Sequence, residues 1–153
     1  MNQIERLVIE SGDAGQPFNY AVGMHGSKFF QELKQNRKIL GIKCPQCRKV
    51  YVPPRRVCGH CFKEMTEFVE VGPNGTIGTF TILRYAFIDP ETGEHKPVPY
   101  GYGFIRFDGA DTLFQHYIDI DDETKVKIGA RVEPIFAEER KGTIKDIQYF
   151  RII

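Results

Sequence analysis

Apolar and polar positions follow three regimes along the chain. In residues 1–26 there is one short β-like run, Leu7-Val8-Ile9, then glycines and polar residues; this reads as an N-terminal arm that orders only against a partner. From Ser27, a suitable N-cap, Phe29, Phe30 and Leu33 share one helical face while Lys34, Gln35, Arg37 and Lys38 surround the rest. The pattern predicts a helix to about Lys38. Two adjacent phenylalanines on so short a helix need a cover, either the rest of this chain or a docked protein. The period then shortens to two: Ile39–Ile42 and Val50–Val52 read as strands set among four cysteines.

From Glu67 onward alternation dominates. Phe68–Val71 leads to the turn signal Gly72-Pro73-Asn74-Gly75, and Thr76–Phe87 follows as a long strand with apolar groups on both faces, as in a strand coiling around a small barrel. Asp89–Pro97 reads as a polar loop. Tyr100–Phe107, Thr112–Ile118 and Ala130–Glu138 are further strands, with Asp108–Asp111 as a turn and Asp121–Gly129 as a short helical connection. Five strands with one short helix before the last indicate an OB-type barrel. The expected fold is therefore mainly β: an arm over 1–26, a helix plus cysteine module over 27–65, and a five-stranded barrel over 66–153.

Composition and charge sharpen this division. A 41% hydrophobic fraction with 12% aromatics suffices for a packed core. No apolar run approaches bilayer length, and the N-terminus lacks the basic and apolar regions of a secretory signal. Four cysteines in tight pairs, with no such signal, point to metal binding in a reducing compartment, the cytoplasm. The net charge of +1 hides an asymmetry: residues 1–26 carry one basic and three acidic side chains, residues 27–65 ten basic and two acidic, and residues 66–153 ten basic and fifteen acidic. A basic module sits beside an acidic one. The first suits phosphates, an acidic partner surface or plain solvent.

Cys44-Pro45-Gln46-Cys47 and Cys58-Gly59-His60-Cys61 are two knuckles whose spacing can set four thiolates tetrahedrally around one structural zinc, as in a rubredoxin-like zinc ribbon. So small a module builds no apolar core of its own, so the ion carries much of its folding free energy, on the order of 10 kcal/mol in zinc peptides. Two rival uses of these residues are weaker. Cys58-Gly59-His60-Cys61 alone matches a thiol-disulfide oxidoreductase tetrapeptide, but Pro53-Pro54-Arg55-Arg56 and the second pair argue against the βαβ setting that chemistry needs. Iron for electron transfer fits the donor set but has no visible redox partner features.

The order of parts resembles the zinc-ribbon/OB-fold proteins associated with acyl-CoA enzymes, once catalogued as a domain of unknown function. The resemblance rests on the helix, the Cys44/Cys47/Cys58/Cys61 ribbon, Val69-Glu70-Val71-Gly72, the strand Gly75–Thr81, the segment Val126–Glu133 and the terminal Phe150-Arg151. It implies an accessory subunit of a thiolase-type acyltransferase or hydratase-like enzyme, needed for assembly or for completing the CoA/acyl site. The simplest stoichiometry with a dimeric thiolase-type partner is two copies of each chain. The loop Asp89–Pro97 and the extension 1–26 depart from the family pattern and leave the partner's identity open.

On this reading Arg48, Lys49, Arg55 and Arg56, which flank the knuckles, are candidates to meet the phosphates of a coenzyme A thioester, and Phe29, Phe30 and Leu33 to meet the partner. No catalytic residue is assigned. No Ser/His/acid order stands out, His25, His60, His95 and His116 are scattered, and metal-bound thiolates attack no thioester. A different class of function, nucleic-acid binding, would use Phe80, Tyr85, Tyr100, Tyr102 and Phe104 as stacking platforms, but the acidic barrel has the wrong sign for a phosphate chain.

Overall fold

The computed structural model describes residues 21–88, 93–95 and 97–153. The arm expected over 1–26 lies outside the described residues up to position 20. Helix α1 spans Gly23–Asn36 and begins four residues before the expected Ser27 cap. Its first turn, poor in helix formers, is held by tertiary contact: the His25 ring stacks on Phe68 at 5.5 Å between centroids, and its Nε2 lies 3.3 Å from the Met65 carbonyl. At the other end Arg37 adopts the left-handed conformation usually given to glycine, so that Arg37 and Lys38 N–H groups close on Leu33 and Glu32 carbonyls.

Strands β1 (Ile39–Lys43), β2 (Val50–Tyr51) and β3 (Glu67–Val71) form an antiparallel sheet in the order β2-β1-β3. The alternation over Phe68–Val71 assigns that run to the barrel; the structure instead pairs it with β1 along its whole length, Ile39 opposite Val71 and Lys43 opposite Glu67. Period-two patterning states that a residue lies in a half-buried strand, not which sheet receives it.

Strands β4 (Gly75–Leu83), β5 (Tyr100–Phe107), β6 (Phe114–Ile118), β7 (Arg131–Phe136) and β8 (Ile147–Ile152) close a barrel in the order β4-β5-β6-β8-β7, a five-stranded OB-fold. The long strand expected to Phe87 ends at Leu83, with a bulge between Ile77 and Thr79 that turns it around the barrel. The helical connection shrinks to a single 3-10 turn, Glu123–Lys125, capped by Asp122, whose carboxylate accepts from the Thr124 backbone N–H at 3.0 Å. Gly103 allows a close approach: a Cβ there would lie 2.5 Å from the Thr79 carbonyl oxygen.

One core runs through helix, sheet and barrel. Inside the barrel Phe107 packs against Phe114 and Phe150 at 5.3 and 5.6 Å, and Phe29 of α1 reaches Phe114 at 6.4 Å. Phe30 is half-buried, but Phe29 and Leu33 are fully buried within this chain, so intramolecular packing covers that part of the helix's apolar face. Burial of each contributes about 1.5–3 kcal/mol. A smaller cluster of Ile42, Cys44, Tyr51, Cys58 and Met65 surrounds the cysteines. No helix among the described residues is long and apolar enough to cross a membrane.

Candidate functional site

The two knuckles are built alike. In the first, Cys44 N–H donates to the Lys49 carbonyl at 2.9 Å and Arg48 N–H to the Cys44 carbonyl at 3.1 Å; in the second, Cys58 N–H donates to Lys63 at 2.9 Å and Phe62 N–H to Cys58 at 3.0 Å. Closing each loop puts the residue after the second cysteine at positive φ, 66° for Arg48 and 58° for Phe62. Neither is glycine or asparagine, so the sequence carries no signal of the turn. The backbone N–H groups of Cys47 and His60 point at the Cys44 and Cys58 sulfurs at 3.4 Å.

This geometry gathers all four sulfurs within 4.8 Å of one another. Cys44 and Cys61 Sγ lie 3.3 Å apart, Cys47 and Cys58 Sγ 3.5 Å. A tetrahedral zinc with bonds of about 2.3 Å needs sulfurs about 3.8 Å apart, so the donor set fits one zinc with no open coordination position. Among the described residues it is the one cluster of His, Cys, Asp and Glu able to hold a metal.

Tyr51, which the sequence reading passed over as a strand residue, belongs to this centre. Its phenol lies 3.2 Å from Cys58 Sγ, and against a metal-bound thiolate only the phenol can donate. The hydrogen bond to Cys58, with burial, pushes the Tyr51 hydroxyl up to about 12. Burial would raise the Cys58 thiol, but the Tyr51 hydroxyl and the Cys61 and His60 N–H groups outweigh it and draw the thiol down to about 5. The Arg55 guanidinium lies 4.7 Å over the Tyr51 ring, a positive charge beside a centre that four thiolates leave net negative. The available signal was a tyrosine on a strand next to a cysteine knuckle, since a buried phenol needs a partner.

The four candidate cations do not converge. Arg55 and Arg56 line a cavity of about 800 Å³ between the start of α1 and Pro53-Pro54, together with Met24, Phe30 and Pro54. Arg56 also pairs with Glu64 at 3.0 Å. Arg48 and Lys49 are exposed and outside that cavity. The first turn of α1, at the cavity's edge, has neither an acidic residue nor a capping side chain. Of the partner candidates, Phe30 is half-buried and lines both this cavity and a groove of about 1050 Å³ on the other side of α1, where Lys34, Lys141 and Lys145 lie.

The histidines are dispersed: His25 packs on Phe68, His116 is buried with Nε2 3.2 Å from the Ile144 carbonyl, and His60 and His95 are exposed. Of the proposed stacking aromatics, Tyr100, Tyr102 and Phe104 share the outer face of β5, while Phe80 packs against the core and Tyr85 is exposed.

Residues 32–66 match the ChsH2 rubredoxin-like zinc ribbon domain, and residues 68–137 match the ChsH2 C-terminal OB-fold domain. A DUF35 domain-containing scaffold protein of Methanocaldococcus jannaschii is 28% identical over 109 residues, covering 70% of this chain and 73% of the relative. A scaffold protein of the same description from Methanothermobacter thermautotrophicus is 25% identical over 114 residues, covering 73% and 81%. A DUF35-family protein of unknown function from Sulfolobus solfataricus superposes with a TM-score of 0.60 at 29% identity, over 85% of this chain and 84% of that one. The Ltp2-ChsH2 (DUF35) aldolase shares the fold, with a TM-score of 0.62 at 19% identity, over 88% and 98%. With its ribbon and barrel both matched and its four thiols gathered for one zinc, the chain belongs to the ChsH2-type, or DUF35, zinc-ribbon/OB-fold family.

Proposed function

We propose that the chain is a zinc-binding scaffold subunit of an acyl-CoA-processing enzyme of thiolase type, contributing to assembly and to the entrance of the CoA site rather than to bond making. The observation that carries this reading is the cavity between α1 and the ribbon. Its lining combines apolar residues, Met24, Phe30 and Pro54, with two arginines, Arg55 and Arg56. Apolar side chains and arginines in one lining suit a ligand with a phosphorylated end and an apolar chain. The scaffold description of the relatives and the enzyme complex formed by the structural neighbour support a partnered role.

The test is co-expression with the candidate partner, followed by assays with and without this chain. Arg55→Ala with Arg56→Ala should raise KM for the CoA substrate several-fold and leave kcat nearly unchanged, because phosphate contacts remote from the thioester bind ground and transition states alike. Gel filtration separates this from loss of the complex. An intact complex with unaltered kinetics rejects the phosphate role. A partner that neither binds this chain nor responds to it rejects the scaffold role.

A further inference from the structure

Phe62 sits where folding alone does not favour a phenylalanine. It follows the last cysteine of the second knuckle, its backbone is left-handed at φ 58°, and it is 80% exposed. The left-handed region disfavours residues with a Cβ, and a bulky exposed one gains nothing there unless its side chain is used. The matching position of the first knuckle, Arg48 at φ 66°, carries a cation, so closing a knuckle requires no aromatic ring. Val57, bridged to Glu64 across the base of the same loop, is 44% exposed. Two apolar side chains of one small loop thus face solvent.

The loop is stiff. Besides the two backbone bonds that close the knuckle, the Met65 N–H donates to the Arg56 carbonyl at 2.8 Å, and Cys58 and Cys61 tie the loop to the zinc site. An aromatic side chain on so fixed a support loses little freedom when a partner buries it, the condition under which one residue dominates an interface.

Charge indicates what the partner offers. Arg48, Lys49, Arg55, Arg56 and Lys63 flank the knuckles and all are exposed. Glu64, the one carboxylate in residues 39–65, is held by Arg56 at 3.0 Å. These cations outnumber that carboxylate even after the net negative zinc centre is set against them. A second copy of this chain, meeting Phe62 with Phe62, would bring like charges together. A nucleic-acid strand calls for successive aromatics along a groove, whereas the other apolar residue here is a valine. A protein pocket with an apolar floor and carboxylates around its mouth matches both the side chains and their charge.

We propose that the tip of the second knuckle inserts into such a pocket on a partner protein, with Phe62 as its anchor and Val57 and Lys63 at its margin. This rests on the scaffold reading and adds a contact apart from the cavity beside α1, which neither Phe62 nor Lys63 lines.

The test uses the zinc-loaded full chain and the thiolase-type enzyme co-expressed with it. Phe62→Gly relaxes the left-handed backbone, so the chain alone should melt at the same temperature or higher with its zinc intact, while the dissociation constant of the complex rises at least about tenfold. Phe62→Asn, also at ease in that region, should behave alike. A side chain needed only for folding would give the reverse, a lower melting temperature with an unchanged complex. Lys63→Glu should weaken the complex about fivefold and reduce its salt dependence. An unchanged dissociation constant in Phe62→Gly overturns the proposal and leaves the scaffold reading standing; a wild-type chain that does not bind the enzyme overturns both. Self-association or oligothymidylate binding that Phe62→Gly abolishes would assign the tip to a second copy or to nucleic acid, and either result rejects a pocket on another protein.

Discussion

Thr112 Oγ1 bonds both polar backbone groups of Val52, accepting from its N–H at 2.8 Å and donating to its carbonyl at 3.0 Å. Asp111 repeats the pattern one residue earlier, its carboxylate accepting from Val50 N–H at 2.8 Å and its own N–H donating to the Val50 carbonyl at 2.9 Å. Two barrel residues thus act as a further partner for β2, the edge strand of the ribbon sheet. This explains why β6 begins at Phe114 and not at Thr112.

Replacing Thr112 by valine keeps the shape but leaves the Val52 N–H and carbonyl unpaired beside a side chain that is 1% exposed. The expected cost is about 1–3 kcal/mol in denaturant unfolding. Thr112→Ser should recover most of it, with zinc content unchanged in both variants.

The zinc centre makes a graded prediction. Metal analysis should find one zinc per chain, and Cys→Ser at position 44, 47, 58 or 61 should unfold the ribbon, with a large drop in melting temperature. Tyr51→Phe keeps the ring beneath Arg55 and removes only the bond to Cys58 Sγ. Zinc affinity by chelator competition should fall about tenfold while the fold persists. An unchanged affinity would make the Tyr51 hydroxyl a bystander.

The phenylalanines of α1 should separate folding from docking. Phe29→Asp places a charge in the core beside Phe114 and should abolish stable folding of the isolated chain. Phe30→Asp, at a half-buried position lining two cavities, should leave folding and zinc content largely intact and weaken partner binding. Circular dichroism and gel filtration of both variants distinguish these outcomes.

Asp108 and Arg131 form a two-armed ion pair, with contacts of 2.6 and 2.5 Å, across the β4–β7 end of the barrel. The hydrogen bonds and charge of Arg131 hold the Asp108 carboxyl below its ordinary 3.8, against a smaller opposing effect of burial. A depressed carboxyl favours the folded state above its unfolded value, and that contribution disappears as pH falls through the folded value. Asp108→Asn should therefore flatten the loss of stability as pH falls below the ordinary carboxyl value, and the two proteins should converge once the folded-state Asp108 is itself protonated. Both side chains are about half exposed, so the effect should shrink in high salt.

The metal centre was legible in the sequence because two Cys-x-x-Cys spacings fix which atoms can meet, whatever surrounds them. The barrel strands were legible where alternation is strong, as in Tyr100–Phe107. What escaped depends on distant contacts. Ile147–Ile152, the final barrel strand, was read only through Phe150-Arg151, and its period gains meaning from β7 alongside it. The first turn of α1 contains two glycines and depends on His25 meeting Phe68, more than forty positions away. The Tyr51 hydroxyl takes its role from a sulfur brought close by the knuckle fold, and the partition of the candidate cations follows from how Pro53-Pro54 faces α1.

Because β3 lies against β1 yet runs almost directly into β4, the point where the charge of the chain changes sign is a poor place to divide it. A fragment ending at residue 65 would carry all four cysteines but expose the β1 edge and the buried faces of Ile39 and Leu40. One starting at residue 66 would begin with an unpaired strand beside the barrel. Each half would present a sticky margin to other copies, so aggregation should accompany separation even with zinc bound.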